Sequence, residues 1–444
     1  MTDLKFPSKF IWGTATAAHQ IEGNNKNNQW WAFEQNPGNI KNNDSSEFAC
    51  DHWNRYEEDF DLIKKINNTA YRMSIEWSRI YPEPGKIDKE AIMHYHKMID
   101  ALLRRNIVPF VTLLHFTVPI WWDNQGGFLN DKKDHLKHFG DFVTTIVEEF
   151  KGKITFWNTI NEPNIVSLIG YFVGDFPPGK KNGKPAGFRK TVKAANTMLK
   201  MHTLAYHAIK KIDPNAKVGI VKNMIIFRPY RKESRMDRII ARFADYLHNG
   251  ATLRALKTGK TFWSRIRKVK GLKGSNDFIG LNYYNFSLVS RSLPGLMIPA
   301  RQDTPKELLC EGLGWEPYPE GLKTNLLRLK KDFPDLPIYI TENGLGSTDD
   351  DFRQTYIIHH LQKVLEAIEA GVDIRGYFYW SLIDNFEWAQ GYGSHFGLVE
   401  VNFETQERIP KGSSLLYGEI AKNNAISKEM QEKHLKWPLK EINI

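Results

Sequence analysis

Two glutamates stand out among the residues whose types and surroundings could do chemistry. Glu162 follows the apolar run 154–160 and Asn161, and precedes Pro163; Glu342 follows Pro337-Ile-Tyr-Ile-Thr341 and precedes Asn343-Gly344. A pair of carboxyls flanking one bond is what glycoside hydrolysis needs. One holds a proton for the leaving oxygen, and the other stays ionised on the opposite face of the sugar. The acid requires an apolar or like-charged neighbourhood to keep its proton near neutral pH. The nucleophile must remain charged, and Arg72 with the Tyr284 hydroxyl are candidates to hold it so.

Further polar or aromatic residues close other apolar runs: His19, Gln20 and Glu22; Glu76; His115; Asn161; Asn223; Asn282; Asn343; and Trp380. Singly, each could cap a loop or satisfy a buried polar group. Together they suit one crowded, polar mouth. Other chemistries lack their patterns. There is no HExxH or comparable ligand spacing, so no metal is expected, and neither GxSxG nor GxxxxGK[ST] occurs. Gly391-Tyr-Gly393 is a weak candidate for the anion loop that a phosphate-binding barrel would want.

The elements that must position these residues recur with a simple rhythm. Short apolar or β-branched runs lie at 10–18, 70–76, 108–114, 154–161, 217–222, 277–284, 337–341 and 374–381. Helical patterns separate them, among them 53–66, 89–105, 133–150, 190–212, 319–331 and 352–370, with Asp213-Pro214 and Gly371 as stops. Eight strands alternating with helices imply parallel pairing and a closed (β/α)8 TIM barrel with elaborated βα loops. A doubly wound sheet would want GxGxxG after its first strand, which is missing. Catalytic residues of a barrel come from the C-terminal ends of its strands, which is where the residues above fall. No Pro/Gly/Ser linker, low-complexity tract or short-period repeat divides the chain, so residues 1–444 are expected to form one domain.

Composition narrows the class. Of the 444 residues 41% are hydrophobic and 13% aromatic, with 13 Trp and 17 Tyr, enough for a large core and for rings that stack on sugars. Two cysteines, Cys50 and Cys310, give no disulfide framework. With no signal-like leader and no long apolar run, a cytoplasmic protein without a membrane span is expected. The net charge of +10 is local: residues 228–273 hold fourteen Arg or Lys, Arg265, Arg267 and Lys268 among them, against Glu233, Asp237 and Asp245. Phe243, Tyr246, Phe262 and Trp263 interleave it. No nucleic-acid motif accompanies the charge, so no nucleic-acid partner is expected. A solvated helix face, or a rim favouring anionic or extended aglycones, are the readings it leaves.

Phe10-Ile-Trp-Gly-Thr-Ala-Thr-Ala-Ala-His-Gln-Ile-Glu-Gly23 resembles the N-terminal signature of glycoside hydrolase family 1. Tyr71-Arg-Met-Ser-Ile-Glu-Trp-Ser-Arg-Ile80, Thr159-Ile-Asn-Glu-Pro163, Ile340-Thr-Glu-Asn-Gly344 and Gly376-Tyr-Phe-Tyr-Trp-Ser-Leu-Ile-Asp-Asn-Phe-Glu-Trp388 follow in that family's order. The resemblance implies a retaining β-glycosidase with Glu162 as acid/base, Glu342 as nucleophile, and Arg72 and Tyr284 as the nucleophile's hydrogen-bonding partners. It implies that Gln20, His115, Asn161, Glu387 and Trp388 hold the glycone, with Trp380 as platform and Trp315 at the aglycone entrance. Asn282 joins the substrate-binding set. No cofactor is implied.

The chain departs from the family's pattern in three places. Phe116 follows His115 where Trp is common, and Asp175-Phe176-Pro177 stands where His-Ala-Pro is common. The stretch 228–275 is short and lacks the usual Trp-Phe-Leu-Asp-Pro element. The expected substrate is a terminal β-D-glucoside, with β-galactosides or β-fucosides also in view. A 6-phospho-β-glycosidase would want a small residue at Trp388, leaving Ser394 and His395 as its only support. A transglycosylase would use the same residues, and a non-catalytic binding protein would have lost Glu162 or Glu342.

Overall fold

The computed structural model of the protein describes residues 2–261, 268–293 and 297–438. Phe262, Trp263, Arg265 and Arg267 of the basic stretch lie outside the described residues.

Eight strands close a barrel: β1 (Ile11–Ala15), β2 (Ala70–Ser74), β3 (Val108–Thr112), β4 (Phe156–Asn161), β5 (Lys217–Asn223), β6 (Phe278–Asn282), β7 (Ile338–Asn343) and β8 (Ile374–Trp380). Each pairs in parallel with its neighbours in sequence order, and β8 returns to β1 through Gly376 to Trp380 against Ile11 to Ala15. Between them run α1 (His52–Lys65), α2 (Lys89–Arg104), α3 (Lys133–Glu149), α4 (Phe188–Ile212), α5 (Ala251–Thr258), α6 (Pro319–Asp332) and α7 (Asp350–Glu369), and α8 (Gly412–Asn423) follows β8. All eight expected strands are present, mostly shorter at their ends. The six expected helices are present within two residues. Helix α5 lies inside the basic stretch, where charge obscures its apolar face.

Apolar residues fill both sides of the strands because each strand is buried between the barrel interior and the helices. The interior floor is aromatic. Phe110 of β3 meets Phe156, Phe378, Tyr339 and Phe278 at ring-centroid distances of 4.7, 4.9, 5.3 and 5.5 Å, so one ring touches four other strands. Gly13 of β1 makes room for this plug, since a Cβ there would stand 2.5 Å from the Phe378 ring. With the bottom filled, the opposite end of the barrel is left for polar residues.

The loops at that end carry structure of their own. After β5 the chain forms the strand Ile226–Pro229, the helix Arg235–Asp245 and a π-helical turn Tyr246–Gly250 before α5 begins. Strand Ile226–Pro229 pairs with Phe286–Val289, which pairs with Met297–Ile298. Far from the mouth, Leu4–Lys5 pairs antiparallel with Ala425–Ile426. No helix among the described residues is long and apolar enough to cross a membrane.

Candidate active site

Glu342 and Glu162 sit at the ends of β7 and β4, both buried, and their surroundings differ sharply. The Glu342 carboxylate is paired with the Arg72 guanidinium from β2 and accepts from the Tyr284 hydroxyl at 2.6 Å, just beyond β6. Arg72 is fully buried and its other terminal nitrogen donates to Asn161 Oδ1 at 2.6 Å, so the cation is fixed from two strands. A bond on each oxygen, one of them from a guanidinium, fixes the carboxylate's orientation.

Among the described residues no cation forms an ion pair with Glu162. Its Oε1 accepts from the amides of Asn282 and Asn223 at 2.7 and 3.1 Å. Burial first, and then the nearby negative Glu342, push its carboxyl up to about 7. Its backbone is left-handed, at φ 45°, and Pro163 opens the short helix behind it. Phe116 and Trp388 share this conformation, at φ 71° and 51°. For residues with a Cβ this backbone costs about 1–3 kcal/mol each and persists where surrounding structure fixes it, commonly at functional sites.

A second polar group faces the same space from β8 and the chain after it. Gln20 Nε2 donates to Asn385 Oδ1 at 2.9 Å and to Glu387 Oε2 at 3.2 Å, while its Oε1 is buried without a protein hydrogen bond. Trp380 Nε1 donates to Glu387 Oε2 at 3.4 Å. Burial pushes the Glu387 carboxyl up to about 8. The His115 ring lies 5.9 Å from Trp380 at 30°, and its Nε2 accepts from Asn161 Nδ2 at 3.1 Å. Burial and the Arg72 charge hold this histidine neutral. Trp315, half-buried, leans on Tyr284 at 5.7 Å.

Of the strand-end residues, Gln20, Arg72, His115, Asn161, Glu162, Asn223, Asn282, Tyr284, Glu342 and Trp380 form one linked group with Glu387. Others serve the scaffold. The Glu22 carboxylate is taken by Arg79 and the Tyr95 hydroxyl, each at 2.8 Å. Glu76 accepts from Ser78 and Thr117 at 2.7 Å. Asn343 bridges Tyr283, Tyr356 and Tyr377, and His19 stacks behind Trp388 at 5.8 Å. Sequence reading left Asn223 without a role and passed over Asn385. Position at a strand end was the signal for the first, and the Gly376–Trp388 motif contained the second without giving it a role.

Two of the three departures from pattern lie together. Phe116, Phe176, Trp30 and Trp388 pack into one aromatic wall, with Phe176 to Trp30 at 4.8 Å and Phe116 to Trp388 at 4.9 Å. Two weaker candidates are committed elsewhere. The backbone N–H of Tyr392 donates to Asp44 at 2.9 Å, so a carboxylate already fills the Gly391-Tyr-Gly393 turn. Ser394 and His395 both bond Glu311, at 2.9 and 2.8 Å.

Known proteins fit this arrangement along nearly the whole chain. The family model described as glycosyl hydrolase family 1 matches residues 2–426. The chain is 34% identical over 455 residues to β-glucosidase A of Thermotoga maritima, covering 96% of this chain and all of that one. A β-glycosidase structure from Pyrococcus horikoshii superimposes with a TM-score of 0.88 at 39% identity, covering 99% of both chains. The T. maritima family 1 β-glucosidase in complex with isofagomine lactam gives 0.88 at 34% identity, covering 96% of this chain and all of that one. Fold, motif order and full-length similarity agree, and the chain belongs to glycosyl hydrolase family 1, as an O-glycosyl hydrolase.

Proposed function

We propose that the protein cleaves terminal non-reducing β-D-glucosides, with β-galactosides or β-fucosides as further candidate substrates, and with Glu162 as acid/base and Glu342 as nucleophile. One observation carries the assignment: Glu162 and Glu342 are buried in one site, and among the described residues only Glu342 is ion-paired, to Arg72. Glu342, gripped by Arg72 and Tyr284, is fixed as the anion that attacks the anomeric carbon. Glu162, raised to about 7, holds a proton for the departing aglycone oxygen.

The two steps follow from this asymmetry. The C–O bond to the aglycone breaks as Glu162 delivers its proton, and Glu342 forms an ester to the sugar. Glu162, having given up its proton, is left ionised, and the ester removes the negative charge that, after burial, had raised it, so it stands ready to take a proton from water. Water attacks the anomeric carbon, the ester breaks, and the sugar leaves with its configuration retained. Such a double displacement needs carboxyls about 5–5.5 Å apart. Gln20 and Glu387 supply an amide oxygen and a carboxyl suited to vicinal hydroxyls, and Trp380 a flat face for the ring. A bulky Trp388 stands where a 6-phospho-β-glycosidase would want a small residue, and Ser394 and His395 are held by Glu311. Free, buried Cys50 and Cys310 suit a reducing cytoplasm.

Release of p-nitrophenol from its β-glucoside at pH 6 tests the reading. Wild-type turnover should fall about 10⁴-fold or more in Glu342→Gln, and an activated 2-fluoro-glucoside should leave its sugar on Glu342. A mutant that keeps most of the activity, or a label on another residue, overturns the assignment.

A further inference from the structure

The amide of Asn223 can aim either its nitrogen or its oxygen at Glu162, and something must choose. Its Nδ2 donates to Glu162 Oε1 at 3.1 Å, which leaves Oδ1 turned away from the mouth. There it meets Nε2 of His248 at 3.0 Å. His248 is buried, and burial together with the Lys222 charge keeps it neutral, so one ring nitrogen carries a hydrogen. An amide oxygen accepts only, so that hydrogen must be on Nε2. Asn164 Nδ2 lies 3.1 Å from the same nitrogen and has its own acceptor in the Asn223 carbonyl oxygen at 3.3 Å. Lys222 Nζ also donates to that carbonyl. Asn223 is therefore tied at backbone and side chain, and its side-chain orientation depends on His248.

The fold delivers His248 by an unusual route. It sits in the π-helical turn Tyr246–Gly250, which separates the helix Arg235–Asp245 from α5. One wider turn rotates the chain, and insertions of this kind are common at functional sites. Asn249, fully buried next to it, anchors the turn by donating to the Ile225 carbonyl at 2.7 Å. The basic stretch thus reaches the active site through an uncharged residue, while Arg235, Arg238 and Arg242 are exposed on the preceding helix.

We infer that His248 is a positioning residue for the reaction, holding the Asn223 amide toward Glu162 so that two amides instead of one stabilise the ionised acid/base. The inference rests on the reading of Glu162 as acid/base. The charged and titratable groups facing Glu162 are Glu342 from β7, Glu387 beyond β8, Tyr284 beyond β6, Arg72 from β2 and Lys222 from β5. None of them is altered by replacing His248. Without its hydrogen the Asn223 amide is free to turn its oxygen inward, and the charged form of Glu162 loses a donor.

The test is the dependence of kcat/KM on pH with an aryl β-glucoside. In His248→Leu the fall in activity at high pH should move up by about one pH unit, the worth of a hydrogen bond to a charged group. His248→Gln, which can place an N–H in the same spot, should keep the wild-type profile. Asn223→Ala should show the same displacement, and the double variant no more than either single one. An unmoved profile in His248→Leu, or displacements that add in the double variant, overturns the inference. Should His248→Leu fail to fold, His248→Asn, too short to reach, takes its place with the same expected displacement. Azide rescue of Glu162→Ala on a dinitrophenyl glucoside is run alongside. Failure of that rescue sinks the acid/base reading itself, whereas rescue with an unmoved His248 profile sinks only the positioning role.

Discussion

At the scale of single residues, Glu162 shows how one environment serves catalysis at the expense of stability. In the unfolded chain its carboxyl has the ordinary value of 4.5, and in the native protein burial and Glu342 raise it to about 7. Between those values the native state binds the extra proton. Its contribution to stability is therefore fully present below 4.5 and lost as pH rises through 7. Glu162→Gln, uncharged throughout and able to accept from Asn282, should melt a few degrees above wild type at pH 8. The gap should close below pH 4.5. Melting temperatures measured across pH check this, and equal values at pH 8 refute it. Type and location made Glu162, Glu342 and Arg72 legible in the sequence. Asn385 and His248 were not, because an amide or a histidine in a loop takes its meaning only from what it touches.

At the scale of elements, the ends of β7 and β8 must approach closely for Glu342 and Trp380 to share a site. Gly344, two residues past Glu342, permits it: a Cβ there would stand 1.8 Å from the Trp380 carbonyl oxygen. That oxygen is backbone and cannot step aside without moving β8. Gly344→Ala should lower kcat/KM about 100-fold or more, since displacement of reacting groups by an ångström has that cost. Near-normal kinetics would show that the strands separate more easily than their packing indicates. Asn343 braces the same strand end through three tyrosines. Periodicity located the strands, but most of their ends were overextended, because an apolar residue after the last ladder hydrogen bond looks the same in sequence as one before it; β5 and β7 instead run on to Asn223 and Asn343.

At the scale of the whole molecule, the two ends of the described chain meet beneath the barrel. Asn424, itself left-handed at φ 50°, accepts from the buried Trp12 indole at 3.0 Å and donates to the Phe6 and Pro7 carbonyls at 3.0 Å. Asn424→Ala strands the indole N–H and adds backbone strain, which should cost about 2–4 kcal/mol. One cooperative transition at a lower temperature is expected, with kcat/KM unchanged at 25 °C, measured by calorimetry and kinetics. A separate early transition would show that the terminal strand pair melts apart from the barrel.

What the sequence determined by itself is the alternation of eight strands and their helices, the polar residues at the strand ends, and the two carboxyls among them. Those follow from periodicity and residue type, which are local. Arg72 could be named from the sequence as a partner for Glu342, but only the tertiary structure brings them together, because they are separated by 270 residues and meet only when the barrel closes. It also decided that Phe116 and Phe176, far apart in the chain, build one wall with Trp388. The same holds for His248, carried to Asn223 by a turn inside a stretch whose sequence shows mainly charge. Ionisation and orientation depend on neighbours in space, and those neighbours exist only in the folded chain.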